Sequence, residues 1–241
     1  MKIVFSRKGF DSSSGGGPSP IVDGRPLSLP IPAGAASRTS YRDLGLGDQA
    51  AAASRGKLGA DDLCHHDPMF RDDGTCLFGQ VGAAQTHLAK RGVGKGDVFL
   101  FFGLFREEES GEPHHRIFGW MEIAETVHLA RGVPSWLAEA NHPHALEMHG
   151  PNDCIYIGPG GTAARASEDL RLTVPGGPPS LWKRPDWLKR GGLSYHDRPE
   201  RWLGNGRLKS VARGQEFVAD VGRRQAPREW LARVMGELRA S

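Results

Sequence analysis

Two long apolar runs separated by a charged segment form the clearest pattern in the chain. Residues 98–105 read VFLFFGLF, residues 117–127 read IFGWMEIAETV, and the residues between them are mostly charged or histidine. A continuous apolar run is typical of a strand buried on both faces, and two such runs joined by a charged loop indicate a hairpin. We therefore predict that the two segments are neighbouring antiparallel strands.

Other elements follow from shorter patterns. Apolar spacing of a helical kind predicts helices over residues 78–91 and 227–238, the second clearly amphipathic. Short strands are predicted at 1–5, 152–157, 170–174 and 214–220, and the alanine-rich residues 49–57 are predicted to form a loop. Together these elements predict an α+β fold with a mostly antiparallel, barrel-like sheet, flanking helices and long loops.

Composition limits the organisation and the partners. The 241 residues are expected to form one domain, and 33 glycines with 17 prolines indicate many turns around a core that buries 6 Trp and 10 Phe. A net charge of +3 permits an anionic partner such as a nucleotide or nucleic acid without requiring one. The three cysteines form no CxxC pair, and the sequence has no signal peptide or long apolar span. We therefore expect a cytoplasmic protein without a membrane partner.

The opening residues 1–21, MKIVFSRKGFDSSSGGGPSPI, run from a short strand into a polar loop. Glycines in such a loop permit positive φ and let the backbone approach a ligand closely. Lys8 offers a charge for a phosphate, and Asp11 offers an acceptor for a ribose or base, or an acid or base group. The pattern is neither a P-loop nor GxGxxG. The alternative interpretation is a flexible linker.

A second polar cluster, DDLCHHDP at residues 61–68, offers possible metal ligands. Adjacent His65 and His66 point in different directions on any regular element, so both rarely bind one ion. The alternatives are structural hydrogen bonds in a loop, or a metal-free role in binding or catalysis. His142 and His144 form a further pair that suits two ligands, two groups on one phosphate, or structural roles. Because no thiolate pair is present, we expect no tightly held structural zinc.

The last third of the chain contains a third polar cluster and a run of tryptophans. LSYH is followed by RW at Arg201. Tryptophan at this density either packs loops or stacks a base. The tryptophans concerned are Trp182, Trp187, Trp202 and Trp230.

The segment KGDVFLF, followed by IFGW, resembles PUA-like β-barrels in its order of helix, turn, strand, hairpin and strand. That resemblance implies a pocket for a modified or flipped base. A generic antiparallel hairpin is the alternative interpretation of the same segment.

Motifs along nearly the whole chain resemble the third family of nucleotide-modification-associated domains. They are FSRKGFDSSSGGGPSPI, CHHDP, FGQVGAAQTHL, GDVFLFFGLFR, IFGWMEI, HPH, LSYH and GQEFVAD. The resemblance implies an association with enzymes that make hypermodified bases in DNA, but it names no reaction and no cofactor. In the family pattern an apolar residue usually follows the first histidine of CHHDP, which favours His65 over His66. The polar residues of these motifs also include Gln80, Gln215 and Glu216.

From these motifs we predict one concave site for a nucleotide, with DNA favoured over RNA as the larger partner. The predicted catalytic residues are Asp11, His65, Asp67 and His196. The predicted ligand-binding residues are Lys8, Ser12, Ser13, Gly15, Gly16, Gln85, Arg106, Tyr195 and Arg201, and no metal ligand is assigned. Substitution of Asp11 or His196 by alanine is expected to abolish activity or ligand binding with little change in melting temperature.

Two alternatives stay open. The first is a non-catalytic PUA-like module that binds a modified base. The second is a metal-dependent hydrolase that uses His65, Asp67, His142 and His144.

Overall fold

A computed structural model describes residues 1–33, 37–107, 111–212 and 216–240. The helices are α1 (Gly47–Ser54), α2 (Gly82–Lys90), α3 (Ser135–Glu139), α4 (Pro143–Leu146) and α5 (Gln225–Arg239). Short 3-10 turns span Leu129–Arg131, Glu168–Leu170 and Pro199–Arg201. The strands are β1 (Lys2–Arg7), β2 (Ser19–Val22), β3 (Arg25–Pro26), β4 (Met69–Phe70), β5 (Thr75–Gln80), β6 (Val98–Glu107), β7 (His114–Glu122), β8 (Glu125–His128), β9 (Cys154–Thr162), β10 (Leu181–Lys183), β11 (Trp202–Leu203), β12 (Arg207–Lys209) and β13 (Glu216–Asp220).

The main sheet is a curled half-barrel with the strand order β13-β1-β6-β7-β9-β5-β4. Strands β2 and β3 extend it beside β6, β8 pairs with β9, and β10, β12 and β11 form a small second sheet. The α+β class is confirmed, but the sheet is mixed rather than mostly antiparallel. The sheet is mixed because β1 and β2 both run parallel to β6. The N-terminal strand β1 lies inside the sheet, since it pairs with β6 on one side and with β13 on the other.

The predicted hairpin is confirmed, because β6 and β7 pair antiparallel from Val98 opposite Glu122 to Phe105 opposite His114. The second predicted strand is too long, however, since β7 ends at Glu122. Residues 125–128 form a separate strand, β8, which pairs with another part of β9 than β7 does. At this bend β9 passes very close to β7. A side-chain carbon on Gly158 would lie 1.9 Å from the carbonyl oxygen of Glu122, so only glycine fits there.

Both faces of the central strands are buried, which explains their unbroken apolar sequence. On one face Phe5, Leu100 and Phe102 pack with Trp182 of the small sheet and with α5. On the other face a second core contains Val4, Phe78, Phe99, Phe101 and Tyr156. Full burial of each such side chain contributes roughly 1.5–3 kcal/mol. Since Trp182 is buried and Trp187, Trp202 and Trp230 pack against the same core, the tryptophans serve packing.

Three local predictions are wrong. Residues 78–80 end strand β5 instead of starting a helix, because they pair with β9. Residues 49–57, predicted as a loop, mostly form α1, whose residue Ala50 packs in a small core under the opening loop. Residues 170–174 make only isolated bridges. The strand predicted at 214–220 is seen as β13, and Gln215 lies outside the described residues.

Among the described residues, no helix is both long enough and apolar enough to cross a membrane.

Candidate functional site

Polar and titratable side chains gather in one cleft at the end of the half-barrel. The cleft has a volume of about 320 Å³ and is formed by the end of β1, the loop after it, the segment before β4, the end of β5 and the residues around α4. We call it the polar cleft. Its lining residues are Arg7, Lys8, Gly9, Asp11, Ser14, Ile31, His65, Asp67, Gly79, Gln80, Val81, His144 and His149.

Asp67 is the buried carboxylate of this cleft. Its Oδ1 atom accepts a hydrogen bond of 2.8 Å from the backbone N–H of Gly79 and lies 3.3 Å from Nε2 of His142. Its Oδ2 atom makes no hydrogen bond to any described residue and lies 4.0 Å from Nε2 of His65. Burial would raise the pKa of Asp67, but the approach of the His142 ring at 3.3 Å holds that pKa below its usual range.

His144 is fixed by a second buried carboxylate. Its Nδ1 atom lies 2.6 Å from Oδ1 of Asp153, and the other oxygen of Asp153 accepts the backbone N–H of His149 at 2.8 Å. The ring lies directly against Gly79, where an added side-chain carbon would come within 2.3 Å of it. Asp153 therefore orients the ring, while the absence of a side chain at residue 79 makes room for it.

His65 completes this group of imidazoles. Its ring centroid lies 5.2 Å from that of His144 and 6.0 Å from that of His149. Neither ring nitrogen of His65 hydrogen bonds to another residue in the described ranges. Burial lowers the pKa of His65 to about 4, so the ring is neutral at pH 7. One potential ligand atom each from His65, Asp67 and His144 lies within 4.8 Å of the others, so these residues could hold a metal ion.

Beneath the cleft lies a buried network around Glu216 of β13. Its Oε1 atom accepts hydrogen bonds from Ser6 at 3.0 Å, Lys8 at 3.3 Å and Gln80 at 2.5 Å. The Oε2 atom is buried and has no partner among the described residues. Burial raises the pKa of Glu216. The ammonium of Lys8 also lies 4.3 Å from the ring centroid of Phe78, so this cation is held at the floor of the cleft.

Four of the predicted site residues line the polar cleft: Lys8, Asp11, His65 and Asp67. Asp11 makes hydrogen bonds within its own loop. Its Oδ1 atom accepts from the backbone N–H and the hydroxyl of Ser13, and also from the backbone N–H of Ser14. Asp11 thereby fixes the shape of the loop. Ser12 and Ser13 line a neighbouring cleft on the other side of that loop.

The loop glycines have a packing reason for their identity. Gly15 and Gly16 have φ of +89° and +92°. A side-chain carbon on Gly15 would lie 2.3 Å from the ring of Phe10, and one on Gly17 would lie 2.5 Å from the carbonyl oxygen of Ala53 in α1. The glycines let the loop close over Phe10 and α1, and neither Gly15 nor Gly16 lines the polar cleft.

The remaining predicted residues are not among those that line the polar cleft. His196 is fully buried: Nδ1 lies 2.8 Å from the carbonyl oxygen of Ser194, and Nε2 accepts the N–H of Val211 at 3.3 Å. Both nitrogens are thus used within the protein, so we now expect His196→Ala to lower the melting temperature rather than leave it unchanged. Tyr195 is exposed and its ring centroid lies 4.4 Å from that of His87.

Three further predicted residues also lie elsewhere. Gln85 is buried and accepts a hydrogen bond from the hydroxyl of Tyr156 at 2.9 Å. Arg201 donates to the carbonyl oxygens of Lys209 and Ser210. Arg106 is exposed near the end of β6.

Sequence reasoning missed His149 and Asp153. It gave His142 and His144 a role only in the metal-dependent hydrolase alternative, and it assigned none to Gln80 and Glu216. The pairing of β5 with β9 and of β1 with β13 brings these residues together. His144 and Asp153 are nine positions apart with no regular element joining them, so spacing alone carries no signal for their contact. Gln80 and Glu216 stood out only as polar residues inside the motifs.

Comparison with known proteins supplies the family. A search of curated proteins and a search of solved structures each gave no match. The family model for nucleotide modification associated domain 3 matches residues 2–220, a range that includes every residue of the polar cleft. The chain therefore belongs to the nucleotide modification associated domain 3 family.

Proposed function

We propose that the protein is an enzyme that modifies a nucleotide or a nucleobase bound in the polar cleft, with DNA as the favoured larger partner. The observation that carries the proposal is the convergence of Lys8, His65, Asp67 and His144 on one open cavity. The proposal treats residues 1–241 as one domain, because the residues around the cleft come from both ends of the sequence. The family name supports nucleotide chemistry in general terms.

The cleft divides into two ends with different chemistry. Lys8 offers a positive charge beside the backbone of Gly9, which suits a phosphate. His65, Asp67 and His144 offer imidazole and carboxylate groups that can move protons or polarise a base. A substrate whose phosphate lies near Lys8 would present its sugar or base to the histidines.

Binding should therefore depend on Lys8 through the phosphate. Calorimetric titration with deoxynucleoside monophosphates is expected to show binding that weakens about tenfold in Lys8→Gln, the equivalent of losing about 1.4 kcal/mol. Glutamine retains a donor for Glu216, which keeps that buried carboxylate paired. Binding of the corresponding nucleosides should change little. Lys95→Gln removes an exposed lysine elsewhere and should leave both affinities unchanged.

Catalysis is tested on DNA from cells that express the chain. Mass spectrometry of digested nucleosides should reveal a mass-shifted nucleoside with the unaltered chain and none with Asp67→Asn. The alternative, a PUA-like module that only binds a modified base, would give unshifted nucleosides while binding to modified DNA persists. Equal affinities of Lys8→Gln and Lys95→Gln for the monophosphates would argue against the polar cleft as the binding site.

A further inference from the structure

The geometry points to an exchangeable divalent transition-metal site in the polar cleft, with His65, Asp67 and His144 as the protein ligands. We propose that the ion is of the first-row type that two imidazoles and one carboxylate suit, such as zinc, manganese or iron(II). The proposal of a metal site depends only on the side-chain geometry. A role of the metal in catalysis rests in addition on the function proposed above.

The three donor groups are available and close together. One ligand atom each of His65, Asp67 and His144 lies within 4.8 Å of the others. Around one ion with bonds of about 2.1 Å, ligand atoms lie about 3–4 Å apart, so the group has to contract by about 1 Å. Within the described part of the chain, both ring nitrogens of His65 are free of hydrogen bonds. The same holds for Oδ2 of Asp67 and for Nε2 of His144.

The groups behind these ligands orient them as they would in a metal centre. Asp153 accepts from Nδ1 of His144, which directs Nε2 of that ring away from Asp153. The N–H of Gly79 and Nε2 of His142 both approach Oδ1 of Asp67, so that Oδ2 is the free oxygen. Carboxylate–histidine pairs and hydrogen-bonded carboxylates of this kind fix ligand orientation around bound metals.

Charge favours a cation at this point. The side chains of Asp67 and Asp153 are both buried, and neither forms an ion pair with a lysine or arginine among the described residues. Their nearest charged or titratable partners are the imidazoles of His142 and His144. Two buried carboxylates without a lysine or arginine partner favour a cation that enters from the cleft.

The ligand set is open on the side of the cavity. With three protein ligands, an ion would keep at least one position for water or substrate, as catalytic sites do and closed structural sites do not. His149 lies at the rim, with its ring centroid 4.9 Å from that of His144. An ion held in this way exchanges with solution, which is consistent with the expectation that no tightly held structural zinc is present.

The adjacent His66 provides a matched control. It belongs to the same segment as His65, but it lines two other surface clefts and not the polar cleft. A metal site built as proposed should be sensitive to residue 65 and insensitive to residue 66.

The test is a titration of the chelator-treated full chain with cobalt(II), followed by visible absorption, and with zinc(II), followed by elemental analysis after equilibrium dialysis. We expect one ion per chain, a weakening of at least about 100-fold in His65→Ala and in Asp67→Asn, and no change in His66→Ala. Asparagine at position 67 retains an oxygen for the N–H of Gly79, so this variant should fold. Circular dichroism and denaturant unfolding verify the fold of each variant.

Absence of a bound ion in the unaltered chain, or equal affinities of His65→Ala, Asp67→Asn and His66→Ala, would overturn the proposal. Cobalt(II)-shifted proton NMR signals from the rings of His65 and His144 provide a second readout if either variant is unstable. Metal binding without binding of deoxynucleoside monophosphates would retain the metal site and reject the proposed function. The reverse result would reject the metal site alone.

Discussion

Two buried histidines, His144 and His196, differ in how their ring nitrogens are used. In His196, both nitrogens are engaged by the backbone of the same protein, and the ring packs against Phe217. In His144, one nitrogen is held by Asp153 and the other is directed into the polar cleft without a partner in the described residues. Burial and a nearby polar partner are common to both, so they do not mark a site. What distinguishes His144 is the ring nitrogen that has no partner in the described residues and faces the polar cleft.

The largest expected effect concerns the fully paired histidine. His196→Ala removes the partner of a buried N–H and leaves a cavity beside Phe217, which should lower the free energy of unfolding by about 3 kcal/mol. Denaturant unfolding measures this, with His128→Ala at an exposed position of β8 as the control at less than about 0.5 kcal/mol. Equal stability of the two variants would remove the distinction between the two buried histidines.

A smaller effect is expected where the space for His144 is filled. Gly79→Ala places a carbon 2.3–2.7 Å from atoms of that ring, which must move, and overpacking of this kind costs about 2 kcal/mol. Gly94→Ala is the matched control, because no atom lies within 4 Å of the added carbon and its φ is not positive. Thermal unfolding compares the two variants. Equal stability of the Gly79→Ala and Gly94→Ala proteins would mean that the ring of His144 is not held against Gly79.

The smallest effect is a pH dependence at another paired histidine, His115. Trp182 donates to its Nδ1 atom at 3.0 Å, and burial, with the charge of Arg7 nearby, lowers its pKa to about 3. Because the unfolded chain takes up a proton near pH 6.5 while the folded chain does not, stability is full above that pH and falls as the pH drops towards 3. Between pH 7 and pH 5.5 the loss from this residue is about 1 kcal/mol.

His115→Asn keeps an acceptor for Trp182 but carries no titratable group. Unfolding free energies measured at both pH values should therefore fall less in the variant than in the unaltered protein. Parallel pH dependence in the two proteins would show that His115 is not held neutral by its surroundings.

The sequence predicted features that depend on neighbouring residues and missed those that depend on distant pairing. The β6–β7 hairpin and the terminal helix α5 follow from local apolar patterns, and both are present. The position of β1 between β6 and β13 is not encoded in any local pattern, and it makes the sheet mixed. The prediction of a loop at residues 49–57 was wrong for a similar reason, since the alanines of α1 are stabilised by packing under the opening loop.

The candidate site shows the same division. Lys8, Asp11, His65 and Asp67 stood out as polar residues in motifs and do line one cleft. His196 stood out equally, but its role depends on the backbone of Val211, which no motif reveals. Asp153 had no signal at all, because a carboxylate that orients a histidine is recognised only once the fold has brought the two together.

The buried bond between Ser6 and Glu216 joins residues 210 positions apart. During synthesis, the floor of the polar cleft therefore cannot close until the ribosome has released β13 as well as β1. Until then β1 can pair with β6 but leaves an open edge where β13 will lie. Contacts this distant in sequence slow folding, because a long loop must close before they form. The residues that line the polar cleft, all between positions 7 and 149, are thus synthesised well before Glu216 of β13, which completes the floor beneath them.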